Sequence, residues 1–239
     1  MIPTPLAIRR TKYRLHTTKY SKGIKMKSIK YLLCLGAVLF VTACSNGLHV
    51  VDLKSPVEVV SPNSGRSICI ADVTDNRIFN GDETRPNLPS GEILSKDYKA
   101  RAYARLKNTL QQQSGAMLLP EDKTVASLVK NTLKQALSEA GFNVVDDAAA
   151  EDQDTVIMAV SVKQFWTWSR LDKVNDDIVS DIELDIYTQD RGNQKHINLK
   201  NSQRRKVLTD TRTLYKTTTE TSLSNIYHLA VEKFSSELK

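Results

Sequence analysis

The side chains whose spacing best suits acid–base or metal chemistry are Asp181, Glu183 and Asp185, which alternate along one stretch and so fall on a single face of a strand. Grouped carboxylates of this kind act as general acid and base, or hold a divalent cation. Neighbours on one strand face stand about 7 Å apart, and Lys and Arg nearby in sequence neutralise them, so a solvated or cross-strand-paired edge is the stronger reading. The histidines beyond the N-terminal leader, His49, His196 and His228, are scattered, whereas a metal centre needs ligands that converge. HExxH, CxxC, GxSxG, GxGxxG and the phosphate-cradling GxxxxGK[ST] are all absent. No catalytic residue, metal or cofactor is indicated, and the chain is read as a protein that is not an enzyme.

Two groups of residues suit binding instead. Lys96, Lys99, Arg101, Arg105 and Lys107 stand against Asp97 alone, a dense local positive charge. Such a run is either a solvated face or a contact for anionic headgroups or an acidic protein patch. Trp166 and Trp168, two apart near one strand end, either pack in the core or line a ligand groove. Asp72, Asp75 and Arg77, at the end of the first convincing strand, are either turn chemistry, the usual role of Asp and Asn there, or a binding group.

The remaining chemistry is covalent. Met26 to Cys44 has a basic start at Lys27 and Lys30, an apolar run from Tyr31 to Val41, and small residues before the cysteine. A membrane span needs about 20 apolar residues, so this run is too short to remain as one. Residues 1–25 place a long polar stretch ahead of the segment, so translation is expected to begin at Met26. The charge follows the same division. The chain carries +7 formally, yet residues 1–43 hold nine Lys or Arg and no acid, leaving 25 basic against 27 acidic residues from Cys44 onward. That balance removes the main support for a nucleic-acid partner. Cys34 lies in the leader, and Cys69, in an apolar run, is read as a buried thiol without a disulfide framework.

Residues 44–65, with Pro56, Pro62 and Gly65, are read as a tether holding at most one edge strand near Val57–Val60, and 66–239 as one domain. Ile68–Val73 is a strand, followed by a long Pro/Gly loop and a marginal helix from Ser95 to Leu110 that carries the bases. Thr124–Ala140 shows an apolar stripe at helical spacing, with Gly141 at its left-handed C-terminal position. Phe142–Val145 is a short strand leading into a turn over 146–154. Strands are expected over Thr155–Trp168, Ile178–Thr188 and Arg205–Lys216, with Asp190–Arg204 a polar hairpin loop and Ser222–Leu238 a second amphipathic helix. In the Thr155 strand, Val156, Met158, Val160, Val162, Trp166 and Trp168 are expected on one face and Ile157, Ala159 and Phe165 on the other. The acids of the Ile178 strand are expected to meet Lys206, Arg212 and Lys216 of the Arg205 strand across an antiparallel pair. The sum is an α+β fold, a mixed and mainly antiparallel sheet with two amphipathic helices on one face.

Val41-Thr42-Ala43-Cys44 resembles the lipobox of bacterial lipoproteins, in which the cysteine is lipidated and becomes the first mature residue. Together with Leu118-Leu119-Pro120-Glu121, the Thr124 helix and Gly141-Phe142-Asn143-Val144, it resembles the YajG-type lipoproteins, whose motifs are structural. The resemblance implies lipidation at Cys44, attachment to a membrane through the lipid and an envelope protein partner. Ser45, where an Asp is lacking, resembles lipoproteins of the outer membrane that face the periplasm. A binding or scaffold domain is the reading that follows. A carrier of an apolar ligand or lipid, or a hydrolase with an unrecognised site, are the alternatives; a deep apolar pocket near Trp166 favours the first, convergent carboxylates or His the second.

Overall fold

The computed structural model describes residues 47–56, 65–79, 95–107, 113–145, 154–171, 176–207 and 211–238. Cys44 and the leader, the apolar patch at Val57–Val60 and most of the turn over 146–154 lie outside them. Eight strands form one open mixed sheet, β1 (Gly47–Val50), β2 (Ser67–Asp75), β3 (Ala102–Lys107), β4 (Gln113–Leu118), β5 (Asn143–Val145), β6 (Val156–Leu171), β7 (Asp176–Asp190) and β8 (Asn193–Lys206). The helices among the described residues are α1 (Lys96–Arg101), α2 (Val125–Glu139) and α3 (Thr211–Glu237). The two longest ladders, β6 with β7 and β7 with β8, are antiparallel, and β2 and β3 join β6 in parallel.

Strand β6 organises the sheet because its second edge is shared. Along Val156–Val162 it pairs with β2, and at Thr167–Trp168 with β3. The sheet forks there, one branch continuing through β2 to β5 and the other through β3 and β4 to β1. At the same height Lys163 is an extra residue opposite β7, since Val162 pairs with Leu184 and Gln164 with Glu183. A one-residue insertion reverses the alternation of every side chain beyond it. Val156, Met158, Val160, Val162 and then Phe165 therefore enter the main core, while Trp166 and Trp168 turn to the opposite face. The expectation that both Trp share a face with Val156–Val162 fails for that reason.

Helices α2 and α3 cover the main-core face. Thr124 caps α2 through a capping box with Ser127, and Gly141, at φ +94°, completes the C-terminal motif in which Gly141 N donates to Ser138 O and Phe142 N to Leu137 O. The stripe Val125, Leu128, Val129, Thr132, Leu133, Ala136 and Leu137 is buried as the spacing requires. In α3, Leu223, Ile226, Tyr227, Ala230 and Phe234 are buried.

Three elements differ from their sequence pattern. Helix α3 begins at Thr211, taking in residues that alternate like a strand. Its threonines are accommodated because Thr218 and Thr219 donate their hydroxyls to Leu214 O and Tyr215 O, and Thr219 bonds Thr167 of β6 at 2.7 Å. The stretch read as a hairpin loop is instead β8, closed by a two-residue turn at Arg191 and Gly192, both with positive φ. The helix expected over Ser95–Leu110 ends at Arg101, and Ala102–Lys107 is strand β3. The sheet also begins inside the stretch read as a tether, where β1 pairs in parallel with β4 and Leu53 enters the core.

Candidate binding face

The fork leaves a gap between the β2-paired and β3-paired parts of β6, and Arg77 fills it. Its chain arrives there because Asn76 N continues the β2 ladder onto Val162 O at 3.1 Å. Asp75 then holds the guanidinium through Nε and Nη2 at 2.8 and 2.7 Å. The free N–H groups donate to Phe165 O and Ala102 O through Nη1 and to Lys99 O through Nη2. Carbonyls of α1, β3 and β6 are thus tied to one buried cation. Phe79 and Trp166 enclose it, with Cζ 5.0 and 5.9 Å from their ring centroids.

Trp166 and Trp168 are 1% and 5% exposed and pack with Ala102, Leu118 and Val179, with Phe79 and Tyr98 against them. They form a second small core on the face away from α2 and α3, not a groove. The basic run does not assemble either. Arg101 is buried, its Nε donating to Leu119 O at 3.0 Å and its Nη1 to Asp97 at 2.9 Å, and Arg105 is buried in β3. Lys96 and Lys99 remain exposed, Lys99 Nζ lying 5.8 Å from the Phe79 centroid; the Lys107 side chain lies outside the described residues. Arg101 turns inward at the last turn of α1, and the change to strand at Ala102 places Arg105 on a buried face.

The acids of β7 are paired across the ladder with β8. Asp177 meets Arg204 at 3.0 Å, Asp181 accepts from Ser202 at 2.6 Å, Glu183 meets Lys200 at 2.8 Å, and Asp185 bonds Asn198 and His196 at 2.9 Å each. The Asn198 amide and then His196 hold the Asp185 carboxyl below the usual carboxylate range. Tyr187 stacks on His196, with centroids 4.8 Å apart. The cross-strand pairing expected from the sequence is present, but its bases are Lys200, Arg204 and His196 of β8, not Lys206, Arg212 and Lys216. Among the described residues no three His, Cys, Asp or Glu converge as a metal site. Cys69 is buried. A cavity of about 210 Å³ lies beside the β7–β8 turn, lined by Arg66, Asp190, Lys195 and Asn193 with Val156, Thr188 and Leu238. It is small and charged, a poor fit to an acyl chain.

No helix among the described residues is long and apolar enough to cross a membrane. No family model matches the chain, and no curated protein matches it by sequence. Solved structures similar to it include a DUF330-family protein of Xanthomonas campestris, at TM-score 0.45 and 7% identity over 79% of this chain and 92% of that one. A minor lipoprotein of Acinetobacter baumannii is similar at TM-score 0.36 and 11% identity, over 46% and 84%. A lipoprotein of Neisseria meningitidis is similar at TM-score 0.30 and 12% identity, over 72% and 99%. The structural neighbours thus include bacterial lipoproteins.

Proposed function

We propose that this chain is a lipid-anchored lipoprotein of the bacterial outer membrane, facing the periplasm, whose α+β domain binds or scaffolds an envelope protein and performs no catalysis. The observation that carries it is the coincidence of basic start, short apolar run and small residues directly ahead of Cys44. The YajG-type likeness, read from residues 118–144, supports the same reading. Consistent with a non-catalytic domain, the grouped acids of β7 are engaged by β8, and the tryptophans are packed rather than lining a pocket. Pulse-labelling cells with radioactive palmitate tests the anchor. The wild type is expected to take up label, whereas Cys44→Ser remains larger and unlabelled; normal maturation of that variant contradicts lipidation.

A further inference from the structure

The forked sheet ends in β8 on one side and in β1 and β5 on the other, and β8 and β1 are built differently. Strand β8 at one edge carries Lys195, Lys200, Arg204 and Lys206, the usual protection of an edge against pairing with another chain. Strand β1, terminal in the sheet order at the other side, reads Gly-Leu-His-Val and carries no Lys, Arg, Asp or Glu. Its alternation is plain. Leu53 is buried and Val51 packs against the main core, while Leu48 and Val50 are 53% and 59% exposed. Those two share one face of the strand, beside Ala116 and Leu118 of β4, with which they are in register. The other exposed large apolar residues among those described, Ile78 and Tyr187, lie on different segments.

The position of β1 in the chain says what covers this edge. Gly47 follows Cys44 by three residues, a span of at most about 11 Å for extended chain. We infer that β1 is a second membrane contact: Leu48 and Val50 rest in the headgroup region of the bilayer that the Cys44 lipid enters. The inference rests on the lipid-anchor reading and deepens it. An open strand edge cannot enter the hydrocarbon, where its unpaired backbone groups find no partner, so the contact is interfacial. The absence of acidic residues on β1 suits an anionic bilayer surface.

The test uses full-length, lipidated protein in vesicles of phosphatidylethanolamine and phosphatidylglycerol that contain a headgroup-proximal spin-labelled lipid. Leu48→Cys, Val50→Cys and Tyr187→Cys are each labelled with an environment-sensitive fluorophore; Cys69 is buried and does not compete. Quenching at 48 and 50 should be at least about twice that at 187, and greater at 48 than at 50 because it is nearer the anchor. Protein that floats with its vesicles but is quenched equally at the three positions overturns this inference and leaves the anchor standing. Protein that does not float overturns the anchor and the inference with it. A fluorescence shift at 48 and 50 that grows with protein concentration without vesicles assigns the edge to a second copy of the chain, and also overturns it.

Discussion

The Arg77 guanidinium donates to carbonyls of Lys99, Ala102 and Phe165 while Asp75 neutralises it. Removing it leaves those acceptors and a partly buried carboxylate without their donor, so Arg77→Ala is expected to cost about 3–5 kcal/mol in urea denaturation. Arg77→Lys keeps the charge but loses the planar fork, and should fall between Ala and wild type. A loss below about 0.5 kcal/mol for Arg77→Ala contradicts the role given to it here, since that is the size of an ordinary surface substitution. Asp185 makes a separate prediction in the acid range. Its carboxyl titrates lower in the folded chain than in the unfolded one, so its stabilisation is present above an ordinary Asp pKa of about 3.9 and is lost as pH falls through the lower folded value. In denaturation series from neutral to acid pH, Asp185→Asn should be less stable than wild type at pH 6 and converge on it at low pH. A difference that stays constant across the range argues against the hydrogen bonds from Asn198 and His196 as its source.

At the scale of elements, β1 joins β4 over four residue pairs, and Gly115 permits the join. A Cβ at Gly115 would stand 2.1 Å from the Gly47 carbonyl oxygen, a backbone atom that only a strand shift can move away. Gly115→Ala should therefore raise amide hydrogen exchange at Val51, whose N–H donates to Leu118 O, while α2 keeps its protection. Unchanged exchange at Val51 refutes that packing. Helix α2 was legible from the sequence because the stripe, the Thr124 cap and Gly141 all agree. The first turns of α3 were not, since threonines at alternating positions fit a strand, and only burial against Thr167 and the hydroxyl bonds to the preceding turn decide for helix. Strand β8 was hidden because an edge strand needs few apolar residues, here the buried Ile197 and Leu199. The faces of Trp166 and Trp168 depend on one extra residue at Lys163, which periodicity does not reveal. Of the candidate site, the paired acids of β7 could be read in advance; the inward turn of Arg101 and Arg105 could not, because it follows from where α1 ends.

On the scale of the whole molecule, the bases of the 96–107 run that are exposed among the described side chains are Lys96 and Lys99, and a contact with an acidic partner is proposed for them. Lys96→Glu combined with Lys99→Glu should preserve the melting temperature and weaken recovery of an envelope partner, with the loss larger at about 0.01 M than at 0.15 M salt as screening sets in. Equal recovery at both salts leaves these lysines a solvated face. From Cys44 onward the chain is near neutral, 25 basic against 27 acidic residues, so net charge gives it little attraction to an anionic surface, and the proposed location rests on the lipid proposed at Cys44. The proposed anchor is Cys44. Intact and N-terminal peptide mass spectrometry of the protein purified from bacterial membranes tests it most directly: a chain that begins at Cys44 and carries a diacylglyceryl mass on that residue is predicted, and an unmodified Cys44 preceded by leader residues would contradict it.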